Sequence, residues 1–445
     1  MHEKLHEALD EIQDRYVTQA ARMRRRPKLL WLSSVAAVLA VAILLSAVAK
    51  PTTVYSETIS LAAEPRITQD PNRDTTTAAA LSQLSGFITQ GNQKFLTGSA
   101  ENQLWSPINA CLSLSMVAEI TGGASRQQIL SLLGADSIPS LRSQSSALWE
   151  SAYIDDGRSI TTLANSLWLE EGLPFRPAAA EALSYHYYAD VYQGDLGSSA
   201  INNAIGGWLN EKTGGLLKDA AENIQLSQET ILALYSTIYF QAKWTDQFHK
   251  NNNTTDVFHA ASGDRNVTYM NRKPAQMFYY WGDTFSAIAL QLKNDSTMWF
   301  FLPDEGLSPE DMLVDGQYLE LFSQNRYENQ KYMKVNLSIP KFDISGSQNL
   351  RDGLEEMGVT DIFNADSADL SPIIPDMPAF FSAANQAVRV QIDEDGVKAA
   401  AYTEFPAPGS AKPPEETVDF VLNRPFLFMI TDSNVPLFAG VVREP

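Results

Sequence analysis

Cysteine is nearly absent from this 445-residue chain, with Cys111 standing alone. One thiol can neither close an intramolecular disulfide nor build a cysteine zinc site. Stability must therefore come from core packing, and the apolar neighbours Ala110, Leu112 and Leu114 predict a buried thiol. Histidine is scarce too, at five residues. His2 and His6 sit near the N-terminus, and His186, His249 and His259 are scattered singly, without an H-E-x-x-H or a G-x-S-x-G pattern. No glycine-rich phosphate loop follows a strand, and no nucleophile stands with its base, so the expectation is a protein that is not an enzyme and needs no cofactor or metal. Basic charge is also short: 33 Lys and Arg face 53 Asp and Glu, a net −20. That balance argues against nucleic-acid binding, which needs clustered cations to displace counterions. It predicts an acidic body that attracts basic partners, less so as salt rises.

Long apolar runs are missing except for one. Leu29 to Ala49 carries no charge and is long enough for the roughly 20 residues of a membrane-spanning helix. Arg22, Arg24, Arg25, Arg26 and Lys28 precede it, whereas only Lys50 follows closely. The asymmetry predicts a single-pass cell-membrane anchor with residues 1–28 cytoplasmic and everything after residue 50 outside. The competing reading is a secretory signal, because Ala47-Val48-Ala49 would suit cleavage and leave the protein secreted. Residues 50–77 hold Pro51, Pro65 and Pro71 among Thr, Ser and Asp, and read as a linker.

From residue 78 to 445 the pattern is that of one large globular domain. Leu81, Leu84, Phe87 and Ile88 give a helical apolar face. Ser106-Pro107 starts a second helix that Gly122-Gly123 should end. Strand patterns follow at 160–169, 231–240, 285–292, 298–302 and 334–339, then at 388–392, 418–422, 426–430 and 437–442. Helices early and strands late predict an α+β fold.

The most telling stretch is Glu394 to Thr403, where Gly396 is followed by Val397, Ala399, Ala400 and Ala401. At period two the inward set is Val397, Ala399, Ala401, Thr403 and Phe405, small or apolar throughout. The charged Lys398 and Glu404 fall on the other face with Ala400 and Tyr402. Such a strand could enter a sheet, with Gly396 as the hinge. A Pro/Gly-rich loop follows, and then Asn423-Arg424-Pro425-Phe426. Upstream stand Asn102 to Pro107, Thr121 to Ser125 with Gln128-Ile129, Asn165-Ser166-Leu167-Trp168, and Ile205 to Gly215. Ile238 to Trp244 and Ile339-Pro340-Lys341-Phe342 complete the series. In this order the segments resemble those of the serpins, over roughly residues 78–445.

The resemblance implies a serpin fold of three β-sheets, about eight or nine helices and an exposed reactive-centre loop. It implies a monomeric suicide-substrate inhibitor that traps a serine protease in a covalent 1:1 complex. Counting along from Glu394 places the reactive bond at Ser410-Ala411, with Ala411-Lys412 as the alternative. Lys412-Pro413 is a poor bond because proline restricts the residue before it. A small residue there points to an elastase-like or subtilisin-like target. The shutter and breach positions that carry over are Ser106, Asn109, Ser236, Trp244, Ser382 and Gln386, with Gln386 where the family usually has histidine. Asn109 and Ser236 exchange the family's usual hydroxyl and amide. Pro406 and Pro408 lie late in the insertable strand, where each removes a ladder hydrogen bond. The alternative is a non-inhibitory serpin acting as a binding module. The arginine-flanked anchor and absent disulfides suggest a bacterial surface protein.

Overall fold

Ser106 opens the helix around which the fold is built. Its hydroxyl accepts the Asn109 N–H at 3.3 Å, and Pro107 takes the first helical position, where a missing N–H costs nothing. The helix runs Pro107–Ile120, and all of its residues but Ser113 are buried. A helix apolar on every side belongs in a core, and this one packs against strands Leu232–Lys243 and Val435–Val442 and helices Ile138–Ala152 and Pro177–Tyr187. The structure is a computed structural model and describes residues 59–60, 73–155, 160–323, 327–397 and 416–445. The expected anchor at 29–49 lies outside the described residues. So do Ala399, Ala400, Ala401, Thr403, Ser410, Ala411 and Lys412.

The described residues from Ile59 to Pro445 form one compact unit. Ten α-helices are present among the described residues, against the eight or nine expected. The surplus lies in pieces such as Lys218–Glu222, Glu320–Ser323 and Arg351–Glu356, which are too short to show a helical period. The domain also begins earlier than residue 78. Helix Arg73–Phe95 starts inside the stretch read as linker, and Ile59–Ser60 pairs with Tyr192 and Gln193. A two-residue edge strand leaves no periodic trace in a Thr- and Pro-rich stretch.

Among the described residues the strands form three sheets in an α+β arrangement. The largest has nine strands and includes Phe426–Asp432 and Val435–Val442, every residue of which is buried. These two strands cross the middle of the main core cluster. The second sheet runs Ile59–Ser60, Ala189–Gly194, Ile160–Glu170, Leu232–Lys243 and Gly396–Val397, with Ile154–Asp155 on Ile160–Glu170. The third contains only Phe342–Asn349 and Asn385–Ile392. Below Val397, no ladder joins Leu232–Lys243 to Asn385–Ile392 among the described residues. Two strand edges therefore face each other across a slot, and the chain crosses its upper end at Gly396.

Candidate functional site

The upper end of the slot is organised by a tight turn at Asp393–Gly396. The Asp393 carboxylate accepts the N–H groups of Asp395 at 2.8 Å and Gly396 at 3.3 Å, a local bond that fixes the reversal. Asp393 and Gly396 then pair antiparallel. Gly396 has φ +143°, a conformation that L side chains rarely adopt. The reversal sets Gly396 opposite Lys243 and Val397 opposite Ala242. Val397 is 3% exposed, so the first inward residue of the loop already faces the core.

Trp244 holds this turn from the side. Its indole N–H donates to the Asp393 carbonyl at 2.8 Å, and its backbone N–H donates to the Asp395 carbonyl at 3.2 Å. The Phe248 N–H reaches the Glu394 carbonyl at 3.1 Å. The Glu394 side chain is 3% exposed and would be costly as a bare charge. Lys341 forms an ion pair with it, and the Asn253 amide donates to the same oxygen. Burial raises its pKa, but the bonds from Lys341 and Asn253 outweigh burial and hold the carboxyl below its ordinary range.

Lower in the slot, two polar chains meet the helix at Ser106. The Gln386 amide bonds both sides of one backbone unit, accepting from the Ser106 N–H at 2.8 Å and donating to the Ser106 carbonyl at 3.1 Å. The Ser106 hydroxyl donates to the Leu437 carbonyl at 2.6 Å. With its amide turned to match its neighbours, Asn109 donates to Ser236 Oγ at 2.9 Å and accepts from the Thr237 and Ile238 N–H groups. Ser236 donates in turn to Asn165 at 2.6 Å, and Asn165 to the Tyr187 carbonyl at 2.9 Å. The structure thus brings Ser106, Asn109, Ser236 and Gln386 together. It leaves Ser382 apart: that residue is exposed on the turn before Asn385–Ile392, and its carbonyl accepts from Arg351 at 3.2 Å.

Sequence reasoning missed Asn165, Asn253 and the pairing of Lys341 with Glu394. A buried glutamate demands a cation, but sequence alone does not say which. Among the described residues, no cluster of three or more His, Cys, Asp or Glu side chains could hold a metal ion. No helix among them is long and apolar enough to cross a membrane. Beside the two polar chains lies a cavity of about 100 Å³, lined by Leu234, Ser236, Ala384 and Gln386 from the slot walls. Leu354, Phe363 and Phe381 close it on the apolar side.

Comparison with known proteins gives this geometry a context. The family described as "Serpin (serine protease inhibitor)" matches residues 89–445. Serpin-Z2A of Triticum aestivum is 28% identical over 373 residues, which cover 78% of this chain and 91% of that protein. Alpha-1-antiproteinase S of Cavia porcellus is 27% identical over 358 residues, covering 78% and 85%. The native structure of the thermophilic serpin tengpin superposes with a TM-score of 0.72 at 25% identity, covering 87% of this chain and all of that one. These curated relatives come from a plant and a mammal and give no support to a bacterial origin.

Proposed function

The chain belongs to the serpin family, and on that premise we propose that it inhibits serine proteases irreversibly, as a suicide substrate. The protease's catalytic serine attacks the carbonyl at Ser410, or at Ala411 in the alternative register. The peptide bond breaks, the new amine takes up a proton and stays with the C-terminal segment, and an ester joins enzyme and loop. The freed loop then enters the slot as an additional strand, carrying the esterified protease with it before water can cleave the ester.

The observation that carries this reading is the pairing of Gly396 and Val397 with Lys243 and Ala242 at the head of an open slot. Exposed strand edges are templates for another strand, and here two such edges face one gap. The hinge has already turned in the direction that insertion requires. Ala399, Ala401 and Thr403 are small enough to follow it between the packed walls. A small residue at Ser410 or Ala411 suits the shallow primary pockets of elastase-like or subtilisin-like enzymes.

The uncharged 29–49 run with its preceding arginines supports a single-pass anchor that would hold the inhibitor outside the membrane. Incubation with elastase-like, subtilisin-like and trypsin-like proteases tests the function. A 1:1 complex that survives denaturation with the first two classes is expected. Cleavage by all three without a complex would refute inhibition and favour a binding role.

A further inference from the structure

Helix Ser199–Lys212 is built from two unlike faces. Ile201, Ala204, Ile205, Trp208 and Leu209 are buried, and this side packs on strand Leu232–Lys243. From Asn202 to Asn210, five of nine residues are Asn or Gly, both poor helix formers. Asn202, Asn203, Gly206, Gly207 and Asn210 recur at helical spacing, so they share the other face.

Two of the five have a structural reason. Helix Lys218–Glu222 crosses this face so closely that a Cβ at Gly206 would lie 2.6 Å from the Ala221 carbonyl oxygen. The Asn202 side-chain oxygen accepts the Leu226 N–H at 3.0 Å. Asn203 and Asn210 differ: both are exposed, and neither side chain bonds to another among the described residues. Between them the seam of the two helices is hollow. A cleft of about 230 Å³ has Asn203, Gly207 and Asn210 on one side and Ala221, Glu222 and Ile224 on the other. Packed helices normally fill such a seam with interlocking side chains. Here the chain forgoes both helix propensity and packing at one spot, and local rules fail in this way at functional sites.

The lining sets the chemistry of an occupant. A carboxamide presents one acceptor and two donors side by side, the complement of two neighbouring hydroxyls. Ala221 and Ile224 add an apolar patch suited to C–H groups. Lys218 and Glu222 at the rim lie 3.6 Å apart and offset each other, so the cleft calls for no ion. We propose that this cleft binds a neutral sugar, one pyranose unit, through the Asn203 and Asn210 amides. The site stands apart from the slot and does not depend on protease inhibition.

The test titrates the full chain with glucose, galactose, mannose and N-acetylglucosamine in turn, with glycine and glutamate beside them. Saturation-transfer NMR reads contact, and the guanidinium midpoint reads binding to the folded state. At least one sugar should bind and raise the midpoint, and the amino acids should not. The double variant Asn203→Ala, Asn210→Ala should bind that sugar about tenfold more weakly. Alanine is the better helix former, so the sugar-free midpoint of the variant should equal or exceed that of wild type. A lower midpoint would make the amides part of the fold and overturn the proposal. Equal sugar binding by variant and wild type, binding of an amino acid but no sugar, or no binding at all would overturn it too.

Discussion

Substituting Gly396 by alanine strikes the hinge at its tightest point. A Cβ there would lie 2.5 Å from the Ala242 carbonyl oxygen, 2.5 Å from the Lys243 Cα and 2.8 Å from the Trp244 nitrogen. All three are backbone atoms, so no side chain can swing aside. Keeping the pair would cost about 1–3 kcal/mol in backbone strain at φ +143°. Overlap would add roughly 1–3 kcal/mol more. Unpairing is the cheaper route, because it forfeits mainly the burial of Val397, worth about 1.5–3 kcal/mol. Gly396→Ala should therefore lower the stability of the intact protein by about 2 kcal/mol and free the hinge from the Leu232–Lys243 strand. Denaturant titration reads the first effect. Hydrogen exchange across residues 242–243 and 396–397 reads the second, and should be faster in the variant. Complex formation should fall, with more protease escaping after cleavage. Wild-type stability together with wild-type exchange at 242–243 would refute the reasoning.

Other expectations concern the groups around the slot. Glu394 titrates below its unfolded value, so its contribution to stability is complete above that value and fades as pH falls through the depressed folded pKa. Hydrogen-exchange protection at residues 393–397, taken relative to the intrinsic rate at each pH, should thus fall below about pH 4 in wild type. In Glu394→Gln, which costs only about 1 kcal/mol because Lys341 is partly exposed to screening solvent, that protection should not change with pH in the same range. Gln386→Leu leaves the Ser106 N–H and carbonyl without their side-chain partner and should cost roughly 1–3 kcal/mol, read as a lower guanidinium midpoint. Burial pushes the Cys111 thiol up to about 12, so iodoacetamide at pH 8 should label it only after unfolding.

The sequence showed the Pro107–Ile120 helix clearly, because Ser106 and Pro107 are strong start signals and the apolar run after them is long. Of the inward face expected for the hinge, Val397 is described and buried, whereas Ala399, Ala401 and Thr403 lie outside the described residues. The strand Gly263–Trp281 was not legible. Its first half carries Asp264, Arg265, Asn266 and Arg272, and Pro274 interrupts it. The ladder accommodates that proline at an irregularity, where the pairing jumps from Val335–Ala275 to Leu337–Arg272. The slot itself was equally hidden. Phe342–Asn349 and Asn385–Ile392 pair with one another, and nothing in their composition says that they stand off from Leu232–Lys243. Lys341 was visible in Ile339-Pro340-Lys341-Phe342 only as a family mark. Its partner Glu394 comes from a distant part of the chain, and only the fold joins them.

Loop insertion is the step on which everything else depends, and the stability of the intact and nicked wild-type proteins measures it most directly. Cleavage within residues 405–414 should raise the unfolding midpoint in guanidinium sharply, because a new strand would then pair with both Leu232–Lys243 and Asn385–Ile392. A nicked protein that unfolds at the same midpoint as the intact one, or below it, would contradict the account.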